Sequence, residues 1–111
     1  MEIRITNYKR CDVIKIIGRV DSSTAPILEQ NIKNLMEAGH YHIILDLSEM
    51  EFISSAGLRV LISAQKNCRR YNRGEVVLAA VPTNILKALD LAGFTSLFHL
   101  QKDVLTAVAN F

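Results

Sequence analysis

The chain has 111 residues, half of them hydrophobic, with 13 basic and 11 acidic side chains and a formal charge of +2. That suffices for one domain around one core, is too apolar for a disordered tail, and lacks the concentrated basic face of a nucleic-acid binder. No apolar run reaches the roughly 18 residues that span a membrane, and Met1-Glu2-Ile3-Arg4 carries neither a signal-peptide nor a myristoylation pattern, so the expectation is a cytoplasmic protein, one domain over 1–111.

In chain order, Ile3 to Thr6 and Val13 to Ile17 read as strands joined by the polar stretch Asn7-Tyr8-Lys9-Arg10, a hairpin pattern. Gly18 is expected to end the second strand. Asp21-Ser22-Ser23-Thr24 then offers capping side chains, and Pro26 is tolerated in a first helical turn. Ile27, Leu28, Ile32, Leu35 and Met36 form an apolar stripe, and Gly39 stops the helix. Ile43 to Leu47 is a run of buried-strand type.

A second helix follows, with Leu58, Leu61, Ile62, Cys68 and Tyr71 assigned to its inner face. Lys66, Arg69, Arg70 and Arg73 crowd its end, where cations complement the helix dipole, and Gly74 follows. Val76 to Ala80 is a strand. Thr83 is expected to cap a short helix carrying Ile85, Leu86 and Leu89, closed by Gly93. Ser96 to Leu100 is a last strand and Val104 to Ala109 a last helix.

The order β-β-α-β-α-β-α-β-α predicts an α/β fold. It has a mixed, mostly parallel sheet of four to five strands, about four helices and right-handed crossovers. The first strand pairs antiparallel at one side. Cys11 and Cys68 are far apart and form no CxxC pattern, so no disulfide, metal site or other cofactor is expected. Cys68 reads as core filler.

Partners tend to meet the carboxyl ends of parallel strands. Three loops share that edge: Asp21 to Thr24, Phe52 to Gly57, and Ala80 to Thr83. Topology therefore brings Asp21 towards Ser54 and Ser55. A serine directly before a helix ordinarily caps free backbone N–H groups, yet Ser54-Ser55 supplies two where one cap is needed. A phosphate there would sit beside free N–H groups and add about −1.5 to −2 charges.

The segment Asp46-Leu47-Ser48-Glu49-Met50-Glu51-Phe52-Ile53-Ser54-Ser55-Ala56-Gly57-Leu58-Arg59-Val60-Leu61 resembles the signature of STAS domains. That superfamily includes bacterial anti-sigma factor antagonists and the cytoplasmic tails of sulfate transporters. Gly18-Arg19-Val20-Asp21 with Thr24-Ala25 is similar to its earlier motif, and Leu89-Asp90-Leu91-Ala92-Gly93-Phe94 to its later one. The likeness runs along nearly the whole chain.

Aligned on Gly57-Leu58, the family's regulated serine is Ser55, with Ser54 the lesser candidate. The chain departs from the pattern twice. Ser54 stands where the family has an acid, and Ala56 where it has a second hydroxyl. Asp21 matches. The resemblance implies a binding switch rather than an enzyme. Its implied partners are an anti-sigma factor that is a serine kinase of the histidine-kinase-like ATPase type, held while Ser55 is unphosphorylated, and a PP2C-type phosphatase that resets the switch. Asp21, Ser54, Ala56, Gly57 and Arg59 are the expected partner-binding positions. Leu58 and Ile62 fit the core stripe better than the surface.

Other readings are weaker or less specific. Ser55, Asp90 and His99 follow the order of some hydrolase triads, but Ile53 replaces the glycine that a nucleophile elbow needs. A receiver domain would need an acidic pair after its first strand, which is missing. His40 and His42 flank Tyr41 without a nearby third ligand. A STAS scaffold or small-ligand module that does not switch is the main alternative.

Overall fold

A computed structural model describes residues 1–111. Strands β1 (Glu2–Asn7) and β2 (Asp12–Val20) form an antiparallel hairpin with Ile3 opposite Ile16. Tyr8 N–H donates to the Cys11 carbonyl at 2.8 Å to close it. Helix α1 (Ala25–Glu37) leads to β3 (His42–Asp46), which lies parallel to β2. Strand β5 (Glu75–Ala79) continues parallel to β3, and β6 (His99–Gln101) parallel to β5. The sheet order is β1-β2-β3-β5-β6, with the edge antiparallel as expected.

The sheet has six strands, one more than the upper expectation. The additional one is β4 (Met50–Ile53), whose last two residues fall in the loop expected from Phe52 to Gly57. It pairs parallel with the far end of β2, Val20 opposite Ile53. The second strand therefore does not end at Gly18. Gly18 adopts φ +95°, and the register shifts between Gly18 and Arg19. This bulge lets one strand serve β3 with its first half and β4 with its second.

Helix α2 (Ser55–Arg69) and α3 (Thr83–Leu91) pack with α1 on one face of the sheet. The six-residue α4 (Val104–Ala109) covers part of the other. The larger core joins Ile14, Ile16, Leu45 and Leu78 of the sheet to Leu28, Leu61, Ile85 and Leu89 of the helices, all buried. Cys68 is core filler as expected, and burial pushes its thiol up to about 11.

Several local expectations are corrected. Tyr71 is not on the inner face of α2. The helix ends at Arg69, and Tyr71 takes φ +58° and is 84% exposed. Ser96 falls in a single 3-10 turn (Thr95–Leu97), so β6 starts at His99. Thr83 is the first residue of α3 and not its cap, because Pro82 holds the cap position. Arg73 Nη2 donates to the Asn67 carbonyl at 2.6 Å, and its guanidinium stacks 4.1 Å from the Tyr41 ring.

Gln65, which the sequence did not single out, is 2% exposed inside this core. Its Oε1 accepts from Val76 N–H at 2.6 Å. Its Nε2 donates to the carbonyls of Val76 at 3.1 Å and Leu97 at 2.7 Å. Val76 lies one residue before β5 first pairs with β6. The amide thus stands in for the backbone of a longer β6.

Candidate functional site at the start of helix two

The site is assembled by the β2–β4 pairing. Ser54 N–H donates to the Val20 carbonyl at 2.8 Å, which sets the Asp21 loop against the start of α2. Ser54 is extended (φ −85°, ψ 173°), and its hydroxyl accepts from Gly57 N–H at 3.2 Å. It is the N-cap of the helix and is half-buried. Ser55 is the first helical residue. It is exposed, and its hydroxyl bonds to no other group of the chain. The two serines, equivalent by sequence, therefore have different work: one completes the helix end and the other is uncommitted.

Gly57 is buried. A Cβ there would lie 2.7 Å from Ile53 Cγ1 and 2.9 Å from Val20 Cγ1. The absent side chain lets the first turn of α2 rest on the ends of β2 and β4, which holds Ser55 at the sheet edge. Ala56 is half-buried against the core, as is Leu58. Arg59 is exposed on α2.

Asp21 organises its own loop. Its Oδ1 accepts from Ser23 N–H at 3.0 Å, Ser23 Oγ at 2.7 Å and Thr24 N–H at 3.1 Å. These bonds, that of the Ser23 hydroxyl above all, hold the carboxyl below its usual range. Thr24 occupies the N-cap position of α1 but makes no side-chain cap bond to the helix. Its hydroxyl instead donates back to the Arg19 carbonyl at 3.1 Å. Asp21 is consequently a fixed negative charge next to the α2 terminus.

Three further residues shape the edge; Arg19 and Ala80 fall in a motif and a loop read from the sequence without a role assigned to either, and Asn84 was not singled out. Arg19 lies over the partly exposed Phe52 ring at 4.4 Å, a contact the bulged register creates. Asn84 Nδ2 donates to the Glu51 carbonyl at 3.0 Å and ties α3 to β4. Ala80, where β5 hands over to the third loop, takes φ +53°. Beside the serines, α1 and α2 enclose a shallow groove of about 330 Å³ lined by Pro26, Glu29, Ala56, Arg59 and Ser63.

A family model for the STAS domain matches residues 2–107. The chain belongs to the STAS domain family. Among curated relatives it is 33% identical to BtrV of Bordetella bronchiseptica, which carries the name of an anti-sigma factor antagonist, over 85% of this chain and 80% of that one. It is 27% identical to the anti-sigma-F factor antagonist RsfB of Mycobacterium tuberculosis, over 96% of this chain and 88% of that one. The fold matches that of SpoIIAA, an anti-sigma factor antagonist, in its unphosphorylated form with a TM-score of 0.85 at 14% identity, covering 98% and 95% of the two chains. The phosphorylated form of SpoIIAA, a Bacillus cell fate determinant, gives 0.79 over 98% of both chains.

Within this STAS domain the residues of the competing readings have other contacts. Asp90 accepts a hydrogen bond from the Thr95 hydroxyl, and His99 Nδ1 lies 3.3 Å from Glu75. Neither bonds to Ser55. His40 Nδ1 is 2.8 Å from the buried Asp12 carboxylate, while His42 meets Phe111 edge-on at 5.2 Å. No helix is long and apolar enough to cross a membrane.

Proposed function

We propose that this STAS domain is an anti-sigma factor antagonist whose hold on its partner is set by phosphate on Ser55. The observation that carries the reading is the division of labour at α2, in which Ser54 caps the helix and Ser55 is left exposed and unbonded. A kinase can reach the Ser55 hydroxyl without opening the fold, and Ser54 would have to give up its cap to be modified. The antagonist names and folds of the relatives support the same reading.

Unphosphorylated, the edge formed by Asp21, Ser55, Ala56 and Arg59 binds an anti-sigma factor, a serine kinase of the histidine-kinase-like ATPase type. The kinase then modifies Ser55. The new dianion stands next to the fixed charge of Asp21 and inside the partner's contact surface, where like-charge repulsion and desolvation oppose binding. A coupling of about 3 kcal/mol lowers affinity roughly a hundredfold. The fold itself need not change. A PP2C-type phosphatase restores the binding form.

The test is affinity capture from lysate of the source organism with wild type, Ser55→Ala and Ser55→Asp as baits. Wild type and Ser55→Ala retain an ATPase-type kinase, and Ser55→Asp does not. Retention of the same partners by all three baits would reject the switch and favour a constitutive STAS scaffold.

A further inference from the structure

If Ser55 carries a phosphate, as proposed above, the chain holds its own receptor for it. Ser55 and Arg59 are four residues apart on the uninterrupted helix α2. Side chains at that spacing share a face, with Cβ atoms about 5–6 Å apart. Helical side chains also lean towards the N-terminus, so a long side chain at 59 covers the turn that begins at Ser55.

Arg59 is exposed and is absent from all five ion pairs of the chain. Four other arginines are engaged: Arg4 with Glu2, Arg19 over Phe52, Arg69 with Glu75, and Arg73 with Tyr41 and Asn67; Arg10 and Arg70, which are also unpaired, lie at the β1–β2 turn and beyond the far end of α2. The acidic groups around this end of α2 come from three elements. Asp21 belongs to the β2–α1 loop, where its Oδ1 is taken by Ser23 and Thr24. Glu29 lines the groove opposite Arg59 but forms no ion pair with it. Glu51 is exposed on β4.

We infer that Arg59 receives the Ser55 phosphate within the same molecule. A guanidinium presents two parallel N–H donors to a phosphate. Phosphorylation would then do two things at the binding edge: add a dianion, and withdraw an exposed cation from the partner. Ser55→Asp carries a shorter, singly charged side chain that would pair with Arg59 more weakly than a phosphate does. The substitution should therefore weaken partner binding less than the phosphate does.

The test installs phosphoserine at position 55 during synthesis, so that it does not depend on any kinase. The second ionisation of the phosphate is followed by ³¹P NMR in the wild-type background, Arg59→Gln and Arg59→Lys. Amide spectra confirm that each variant is folded. At low salt the wild-type background should ionise about 0.5 pH lower than Arg59→Gln, roughly threefold in the dissociation constant, because a nearby cation favours the dianion. Arg59→Lys should fall between, and the gap should close near 1 M salt. Coincident titrations of the wild-type background and Arg59→Gln at low salt would overturn the pairing. A cell that never phosphorylates Ser55 would instead overturn the proposed function and leave this titration as it is.

Discussion

Replacing Gln65 by leucine tests whether one buried amide holds the β5–β6 end of the sheet. The substitution keeps the volume and the apolar packing of α2, but removes three hydrogen bonds to backbone groups of Val76 and Leu97. At about 1 kcal/mol for each bond, the expected loss is about 3 kcal/mol, more where a backbone group stays buried without a partner. Against a total of about 5–15 kcal/mol for a domain, that is a large share, and it corresponds to a fall in Tm of roughly 10–15 °C. Urea unfolding followed by circular dichroism gives the free energy. Amide exchange should show protection lost first around Val76 and Leu97. Gln30→Leu, on the exposed face of α1, is the control for adding an apolar side chain. A change in Gln65→Leu of under about 0.5 kcal/mol would refute the reasoning, because it would mean that the amide bonds contribute no more than a surface contact.

The two serines should separate in a stability measurement. Ser54→Ala removes the α2 cap and should cost about 1 kcal/mol, while Ser55→Ala should stay within about 0.5 kcal/mol of wild type; equal losses in urea melts would contradict the assigned cap. Gly57→Ala forces a methyl group against Ile53 and Val20 and should destabilise by about 1–3 kcal/mol, read as a lower denaturation midpoint with an unchanged m-value. Asp21, Glu49 and Asp103 are all held below their ordinary carboxyl range, by the Ser23 hydroxyl, by Lys15 and by the Thr106 N–H respectively. Their contribution is present above the unfolded-state values near pH 4 and is lost as pH falls through the folded-state values. Stability should therefore decline below about pH 5, and Asp21→Asn should flatten that decline; an unchanged slope in the variant would show that the loop bonds are not coupled to folding.

Periodicity alone carried most of the architecture. The stripes of α1 and α2, the apolar runs of β3 and β5, and the stop at Gly39 are local patterns, and each element formed close to where its pattern lies, although Ile27, assigned to the α1 stripe, is exposed. Their alternation implied parallel strands, and that order set the Asp21 loop and the paired serines on one edge. What failed were features whose cause is distant in the chain. Strand β4 is four residues with a mixed burial pattern, and it exists because the bulge at Gly18 turns the end of β2 towards it. Tyr71 fits the helical spacing, but the chain leaves the helix before reaching it. Gln65 looks like any surface amide until β6 stops short of Val76. The same limit applied at the site. Ser54 and Ser55 are identical as letters, and the resemblance rather than the residues favoured Ser55 from sequence. Only the tertiary structure bonds Ser54 N–H to the Val20 carbonyl; that distant partner fixes where α2 begins, so that Ser54 is the residue that caps Gly57 and Ser55 is left free, because hydrogen-bond partners far apart in sequence are decided by how the strands and helices pack.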